Sequence, residues 1–235
     1  MLFRSILNIE SKHFLEQILD STEKAVQLYT SRSRSYLRFV NGFAYPQGVR
    51  AYWQRSMHLE SGLSVLDAGC GTGIASLALR EAMIGRGLRP KKINCFDITP
   101  KMLAVFREKL QKEAIEGVEL VQADVLNLDT LPVDWKEFDL IISAAMMEYL
   151  PSDHLIGALS GLRSRLSDRG RMVLFITRKN LLMKLLIGKW WRANYYHKSE
   201  LEGYFCRAGF SKITFRSFPF PYKHLSVWGN IVEAR

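Results

Sequence analysis

From Leu63 onward, short apolar runs alternate with longer segments in which apolar residues recur at helical spacing. Strands built from such runs and separated by helices are typical of βαβ units, in which the sheet is parallel. The pattern therefore predicts an α/β domain with a doubly wound parallel sheet. The predicted strands span residues 63–67, 92–97, 118–122, 138–143 and 171–177, and the predicted helices span residues 74–84, 100–112 and 152–166.

The C-terminal part of the same pattern predicts one more helix and two more strands. Ser199 and Glu202 have the spacing of a capping box, so a helix is expected to begin at Ser199 and to stop at Gly209. Strands are predicted at residues 212–218 and 226–234. Because the linker between them is too short for a helix, we expect these two strands to pair antiparallel.

The first sixty residues precede the α/β pattern and are predicted to form a helical cover. Apolar residues at helical spacing predict an amphipathic helix over residues 11–30, with Ser11 as its N-cap. Residues 31–60 are rich in aromatic side chains and predict one or two short helices. The chain is therefore expected to divide into a cover, residues 1–60, and a main domain, residues 61–235.

Composition limits the class of protein. With 235 residues, 48% hydrophobic and 24% charged, the chain is typical of a globular protein with a sizeable core. The three cysteines have no paired spacing, which predicts no disulfide framework and no metal site and favours a reducing compartment. The longest apolar run is too short to cross a bilayer, and the start lacks the features of a signal peptide. We therefore expect a cytoplasmic protein.

The positive charge is concentrated in one segment. The net charge is +10, and residues 161–216 carry thirteen Lys or Arg against three Asp or Glu. Such a segment attracts anionic partners, which here could be a phosphate or carboxylate substrate, a membrane surface or RNA. It is equally consistent with a solvated basic face, and charge alone does not choose among these readings.

The most informative motif is the glycine-rich turn in V-L-D-A-G-C-G-T-G, residues 65–73. A buried strand ends at Asp67, and Gly69, Gly71 and Gly73 let the backbone and a helix N-terminus approach a ligand closely. The third glycine comes one residue too early for a dinucleotide fingerprint, and no Gly-Lys-Ser/Thr follows as a Walker loop requires. The turn predicts a ligand site without identifying the ligand.

Two further acids follow the next strands. Asp97 ends the second predicted strand, where a carboxylate can accept both ribose hydroxyls of a nucleoside. Asp124 follows the third strand, where an acid can accept from the exocyclic amine of adenine while Val125 packs against the ring. Because the carboxyl ends of parallel strands meet at one edge of the sheet, these acids are expected to converge with Asp67 around one ligand.

Together these motifs resemble those of the class I S-adenosylmethionine-dependent methyltransferases. The resemblance is carried by the glycine turn and by D-I-T-P-K-M-L (97–103), Q-A-D-V (122–125) and F-D-L-I-I-S-A-A-M-M-E-Y-L-P (138–151). It covers approximately residues 60–235. It implies a Rossmann-like sheet of seven strands with an antiparallel last strand, and S-adenosylmethionine as cofactor. Within the family, the nearest likeness is to small-molecule enzymes of the ubiquinone-biosynthesis type.

The resemblance also implies a set of cofactor-binding positions. The glycine turn would line the methionine and ribose end, Asp97 would hold the ribose, and Ser143 and Ala144 would face the sulfonium end. Asp124 and Val125 would read the adenine edge. The full set is Asp67, Gly69, Cys70, Gly71, Gly73, Asp97, Ile98, Met102, Asp124, Val125, Ser143 and Ala144.

Catalytic residues are harder to predict. Methyl transfer from a sulfonium is an in-line displacement, for which the protein mainly binds and aligns the reactants. A base is needed only where the nucleophile must first lose a proton, and the candidates are Glu148, Tyr149, His154 and His197. The motifs typical of amino-methylating nucleic-acid enzymes, C5-pyrimidine enzymes and protein-arginine enzymes are absent from the sequence.

Acceptor specificity is expected to come from the cover and from an insertion at residues 178–198. The insertion mixes leucines and cations with Trp190, Trp191, Tyr195 and Tyr196, which are the candidate substrate-contacting residues. Such a composition suits a lid over an anionic or lipid-like small molecule, or peripheral contact with a membrane. An ordinary amphipathic helix packed on the sheet edge, and contact with RNA, are the alternatives.

The sequence therefore predicts a methyltransferase that acts on a small, apolar or amphiphilic acceptor. One alternative is an RNA methyltransferase that uses the basic face of residues 161–216; RNA is the lesser candidate partner, because no recognised RNA-binding module accompanies this face. The other alternative is a non-catalytic protein that retains the fold and binds the cofactor.

Overall fold

The computed structural model describes residues 42–178 and 194–235. The helix predicted over residues 11–30 and most of the predicted insertion lie outside the described residues. The strands are β1 (Ser64–Ala68), β2 (Lys92–Asp97), β3 (Val118–Gln122), β4 (Phe138–Ala144), β5 (Leu166–Thr177), β6 (Ile213–Arg216) and β7 (Gly229–Ala234). The helices are α1 (Tyr45–Arg55), α2 (Ile74–Ile84), α3 (Pro100–Lys112), α4 (Leu155–Arg163), α5 (Lys198–Arg207) and α6 (Leu225–Trp228).

The seven strands form one sheet in the order β3-β2-β1-β4-β5-β7-β6. Strands β1 to β5 pair parallel with their neighbours, whereas β7 pairs antiparallel with both β5 and β6. The predicted α/β class, the seven-stranded sheet and the antiparallel last strand are confirmed. Because the strand order reverses between β1 and β4, a crevice is expected at that point on the carboxyl edge.

Helices cover both faces of the sheet, as a doubly wound fold requires. On one face, α1, α2 and α3 contribute fully buried side chains that include Trp53, Leu79 and Phe106. On the other face, α4 and α5 contribute Leu159 and Phe205. Burying one such side chain stabilises the fold by about 1.5–3 kcal/mol, so the two cores hold the strand ends in fixed positions.

Helix α1 brings part of the predicted cover onto the sheet. Pro46 lies in its first turn, where a missing N–H costs nothing, and therefore begins the helix rather than breaking it. The rings of Tyr52 and Trp53 pack edge-on against Phe175 of β5, with centroids 5.4 and 6.1 Å away. The Tyr52 hydroxyl also donates to Glu233 of β7 over 2.8 Å. Helix α1 is thus anchored to the neighbouring strands β5 and β7.

Two local predictions near the C-terminus were wrong. Helix α5 begins two residues before the predicted capping box, with His197 as its N-cap, and the Glu200 carboxylate accepts from the His197 N–H over 2.5 Å. The linker between β6 and β7 was thought too short for a helix, but it contains a 3₁₀ turn, Tyr222–His224, and the single turn α6. Neither element crosses the sheet, so the antiparallel pairing of β6 and β7 is unaffected.

Among residues 42–178 and 194–235, none of the helices combines the length and apolar character that crossing a membrane needs.

Candidate functional site

A cavity opens at the carboxyl edge of the sheet, where β1, β2, β3 and β4 end. About 1030 Å³ of space lies within the cavity and its open mouth, solvent included. Two of the twelve predicted cofactor-binding residues, Gly73 and Ser143, do not line it. The other ten do: Asp67, Gly69, Cys70, Gly71, Asp97, Ile98, Met102, Asp124, Val125 and Ala144.

Backbone hydrogen bonds attach the glycine turn to the end of β2. The N–H groups of Gly69 and Cys70 both donate to the carbonyl of Phe96, over 2.9 and 3.0 Å. The N–H of Gly71 donates to Oδ2 of Asp97 over 2.8 Å. The turn after β1 and the acid after β2 therefore form one rigid wall of the cavity.

The glycines of this turn serve different purposes. Gly69 has φ +73°, and a Cβ there would stand 2.4 Å from the side chain of Met146, so only glycine allows this close approach. At Gly71 an added Cβ would meet nothing within 4 Å, because this residue faces the open cavity. Gly73 lies outside the cavity lining; it is the N-cap of α2 and packs against the ring of Phe106.

Asp97 is fixed by two backbone donors. Its Oδ1 accepts from the N–H of Thr99 and its Oδ2 from the N–H of Gly71, both over 2.8 Å. Each carboxylate oxygen has a second lone pair, so both remain able to accept from a ligand hydroxyl. Burial raises the pKa of Asp97 above its ordinary value, and the two backbone bonds oppose that rise.

Asp67 is the most deeply buried acid of the cavity. The hydroxyl of Ser76 donates to its Oδ2, while Oδ1 is buried and has no hydrogen-bond partner among the residues that the structure describes. Burial raises the pKa of Asp67 to about 7, and the negative charge of Asp97 adds to the rise. A buried carboxylate with a free oxygen is suited to a ligand that brings a positive charge or a donor.

Asp124 stands at the third strand end with its neighbour Val125. Its Oδ1 accepts from the N–H of Leu126 over 2.9 Å, which fixes the carboxylate in the loop after β3. Val125 and Met102 are 6% and 3% exposed and line the same cavity, so an apolar slot lies beside the acid. A flat heterocycle with an amine at its edge would fit this part of the cavity.

The structure separates Ser143 from Ala144, which were predicted to act together. Ala144 lines the cavity, but Ser143 is fully buried beyond its lining, and its hydroxyl has no hydrogen-bond partner among the described residues. Successive strand residues point to opposite faces of a sheet, so only one of the two can face the ligand. We correct the predicted role of Ser143 accordingly.

Of the candidate bases, only Tyr149 lines the cavity. Glu148 is 2% exposed and lies behind the lining. His154 is 9% exposed at the start of α4, with its Nδ1 3.1 Å from the Asp153 carboxylate. His197 is exposed at the N-cap of α5. The structure therefore does not bring the four candidates together.

Glu148 binds both ends of the predicted insertion. Its Oε1 accepts from the hydroxyl of Thr177 and its backbone carbonyl accepts from the N–H of Asn194, each over 2.7 Å. The second oxygen, Oε2, is buried without a hydrogen-bond partner in residues 42–178 and 194–235. Burial raises the pKa of Glu148 to about 7. Glu148 thus ties Thr177, just before the insertion, and Asn194, near its end, to the turn that carries Tyr149.

The candidate substrate-contacting residues are not grouped at the cavity. Trp190 and Trp191 lie outside the described residues. Tyr196 is 3% exposed and packs edge-on against Tyr204 of α5, with centroids 5.7 Å apart, so it belongs to the core. Tyr195 is half-buried and is not part of the cavity lining.

Sequence reasoning missed several lining residues, notably Tyr45, Met146 and Leu150. Tyr45 is the first residue of α1, more than twenty residues before the glycine turn, and no motif marks it. Met146 and Leu150 lie in the segment that follows β4. In that segment the sequence indicated Glu148 and Tyr149 as candidate bases and gave no sign of the apolar lining. Ala145, between them and the strand, has φ +53°, a strained conformation of the kind found at functional sites.

In sequence, the chain is similar to known methyltransferases. A family model described as a methyltransferase domain matches residues 65–170. The demethylmenaquinone methyltransferase of Staphylococcus epidermidis is 27% identical over 224 residues, covering 83% of this chain and 88% of that protein. The corresponding enzyme of Staphylococcus haemolyticus is 26% identical over 224 residues, with 83% and 89% covered.

Solved structures with the same fold include a methyltransferase and a biosynthetic protein. Magnesium protoporphyrin IX methyltransferase from Synechocystis, with bound S-adenosylhomocysteine, has a TM-score of 0.67 and 22% identity, covering 91% of this chain and 98% of that chain. The pyocyanin biosynthetic protein PhzM has a TM-score of 0.69 and 20% identity, with 90% and 62% covered.

The cavity itself fits an S-adenosyl cofactor. The free oxygen of Asp67 suits a cationic group, the open lone pairs of Asp97 suit ribose hydroxyls, and the slot beside Asp124 suits an adenine. Gly71 lines the cavity and a Cβ there would meet no protein atom within 4 Å, so the backbone leaves this space open to a ligand. The cationic group, the ribose and the adenine of such a cofactor would therefore each meet residues of suitable chemistry.

Proposed function

We infer that the chain belongs to the class I S-adenosylmethionine-dependent methyltransferases, and from that premise we propose that it methylates a small, apolar or amphiphilic acceptor. The observation that carries the proposal is the uneven lining of the cavity. Among the described lining residues, the charged ones are the three aspartates at the carboxyl ends of β1, β2 and β3. The wall that follows β4 consists of Ala144, Ala145, Met146, Tyr149 and Leu150.

The acidic wall would bind the cofactor. We assign Asp67 to the cationic amino group, Asp97 to the ribose hydroxyls and Asp124 to the adenine amine. Bound there, S-adenosylmethionine would supply an activated methyl group for in-line displacement. The rigid attachment of the turn to β2 supports this assignment, because alignment of the reactants is the protein's main contribution to such a reaction.

The apolar wall would bind the acceptor. Its side chains cannot hydrogen-bond a polar substrate, apart from the hydroxyl of Tyr149, and they exclude water from the reacting atoms. An acceptor with an aromatic or aliphatic body and one nucleophilic group would satisfy both features. Where that group must lose a proton, Tyr149 is the candidate nearest to it, since Glu148 lies behind the lining.

The relatives indicate which acceptors to test first. The matched enzymes are named for demethylmenaquinone and for magnesium protoporphyrin IX, which both combine a flat conjugated ring system with a large apolar part. A quinol with a short prenyl tail and a porphyrin carboxylate are therefore the first two probes. Neither comparison favours RNA as the acceptor or a protein without activity.

The first experiment is calorimetric titration with S-adenosylhomocysteine, beside NAD as a control ligand. Micromolar binding of S-adenosylhomocysteine alone is expected. Turnover is then measured by mass spectrometry with the quinol, the porphyrin, a hydrophilic catechol and a short RNA. The proposal predicts product with an apolar probe and little with the catechol or RNA; preferential methylation of RNA would overturn it.

A matched pair of variants tests the apolar wall. Leu150→Asn places a polar group in the wall, whereas Leu166→Asn changes another half-buried leucine at the opposite edge of the sheet. Leu150→Asn should raise the acceptor KM about tenfold and leave the affinity for S-adenosylhomocysteine within about twofold. Equal effects of both variants would show a general loss of packing instead. Changing Trp190 and Trp191 to Ala should likewise lower acceptor use more than cofactor binding.

A further inference from the structure

A surface beside the cavity mouth combines exposed apolar side chains with cations. Phe220, Val227 and Phe43 are 72%, 47% and 37% exposed. Arg55 and Lys223 are exposed among them. We call these five residues the Phe220 surface. It is built by Phe43 just before α1, by Arg55 at the end of α1 and by the linker between β6 and β7. Exposed apolar side chains cost solvation free energy in water, and a partner that covers them would recover it.

The Phe220 surface is held in place by polar contacts. Arg55 donates to the backbone carbonyl of Phe220 over 2.8 Å, so the cation is fixed at the backbone of that residue. The ring of Phe43 packs on Trp228 at 4.4 Å, and its carbonyl lies 3.1 Å from Nε2 of His224. The exposed side chains are therefore presented by a fixed backbone.

The two segments that build this surface contain no acid. Residues 42–59 and 203–232 together carry six Lys or Arg and no Asp or Glu. Two of these cations pair with acids of other elements, Arg50 with Glu81 and Arg216 with Glu233, and the others leave an excess of positive charge in the two segments. A second copy of the chain would meet cations with cations, whereas an anionic partner would be attracted.

The Phe220 surface lies at the same sheet edge as the cavity. Tyr45, two residues after Phe43, lines the cavity, and its ring is 6.2 Å from that of Phe218 at the start of the linker. The linker ends where β7 begins, with Gly229 paired to Thr177 at the carboxyl end of β5. A partner that covers this surface would therefore stand beside the mouth through which an acceptor enters.

We propose that the Phe220 surface docks on an anionic phospholipid bilayer. Phe220, Val227 and Phe43 enter the boundary between headgroups and acyl chains, while Arg55 and Lys223 face the anionic headgroups. Exposed apolar side chains beside exposed cations, in segments that themselves carry no acid, are the composition that such a boundary selects. Docking there would deliver a lipid-dissolved acceptor to the cavity, but the docking does not depend on the identity of the acceptor.

The test is flotation of the full chain with lipid vesicles. Binding is expected to vesicles of phosphatidylcholine mixed with phosphatidylglycerol, weaker binding to phosphatidylcholine alone, and a decrease with added salt. The double variant Phe220→Ser/Val227→Ser should bind the mixed vesicles about tenfold more weakly. Val133→Ser is the matched control, because Val133 is 87% exposed on the loop that leads to the amino end of β4.

Charge is tested in the same way. Lys223→Glu should weaken binding to the mixed vesicles about tenfold, while Lys136→Glu, on the loop before β4, should leave it nearly unchanged. Unaltered affinity for S-adenosylhomocysteine in all variants shows that the fold is intact. Equal vesicle binding by surface and control variants would overturn the proposal. A second result would also overturn it: the wild-type chain does not bind vesicles but forms dimers, and the double variant is monomeric. The surface would then join two copies of the chain.

Discussion

Replacing Asp67 with Asn should alter both the stability and the ligand affinity of the protein, in opposite directions. The Asp67 carboxyl is fully buried, and burial raises its pKa to about 7 in the folded chain. In the unfolded chain its pKa is near the ordinary value of 3.8. The folded state therefore holds a proton that the unfolded state has already released, and stability falls as the pH rises between these two values.

The magnitude follows from the two pKa values. Each pH unit inside that window costs about 1.4 kcal/mol of unfolding free energy, so the loss between pH 5 and pH 7 is about 2 kcal/mol. An amide does not titrate, and Asp67→Asn should remove this loss. A buried amide without a full set of hydrogen-bond partners lowers the unfolding free energy by the same amount at every pH. This cost moves the whole curve of unfolding free energy against pH and leaves its slope unchanged.

The assay is urea unfolding of wild type and Asp67→Asn at several pH values, without cofactor. Glu148 also has a pKa raised to about 7, but it is present in both proteins and cancels in the difference. The difference in unfolding free energy should grow in favour of Asp67→Asn by about 2 kcal/mol from pH 5 to pH 7. Parallel curves would refute the reasoning.

Ligand binding gives the opposite sign for the same residue. An ionised Asp67 is expected to pair with the ammonium group of S-adenosylhomocysteine, so wild-type affinity should rise with pH up to about 7, the pKa of this group. Asp67→Asn should bind more weakly by about 1.5–3 kcal/mol and lose that pH dependence. If Asp67→Asn is more stable than wild type at pH 8 yet binds S-adenosylhomocysteine poorly, the buried charge lowers stability and serves ligand binding.

Three further predictions concern the cavity wall and the attachment of α1. Asp97→Ala should weaken the binding of S-adenosylhomocysteine by about 1–3 kcal/mol in calorimetry, and unchanged affinity would contradict the ribose assignment. Gly69→Ala should lower stability by more than Gly62→Ala: both residues have positive φ, but only at Gly69 would the Cβ stand 2.4 Å from Met146, whereas Gly62 faces open space. Chemical unfolding measures the pair, and equal losses would argue against the contact. Glu233→Gln should lower stability by about 1 kcal/mol at pH 7, since Glu233 accepts from the α1 tyrosine. Hydrogen bonds lower the pKa of Glu233, so its contribution is present above the ordinary value of 4.5 and is lost as the pH falls through the lowered one. A loss that persists unchanged in acid would disprove that linkage.

The sequence by itself determined the order of the strands along the chain and the acids that end them. Apolar runs are local patterns, and residues 92–97, 100–112 and 118–122 were predicted with the bounds that the structure has. Asp97 and Asp124 could be found because a strand end and an acid are adjacent in sequence. Their convergence follows from parallel pairing, which alternating strands and helices require.

Only the tertiary structure decided which other residues face the ligand. Ser143 and Ala144 are neighbours, and the alternation of a strand says that they point apart, but not which of them meets the cavity. Tyr45 reaches the cavity because α1 packs on the sheet, a contact between segments far apart in the chain. Likewise, the partners of Glu148 come from both sides of the insertion. Local patterns encode strands and turns. Which side chains are buried, which point into the cavity and which form hydrogen bonds depend on packing between distant elements, and no local pattern specifies that packing.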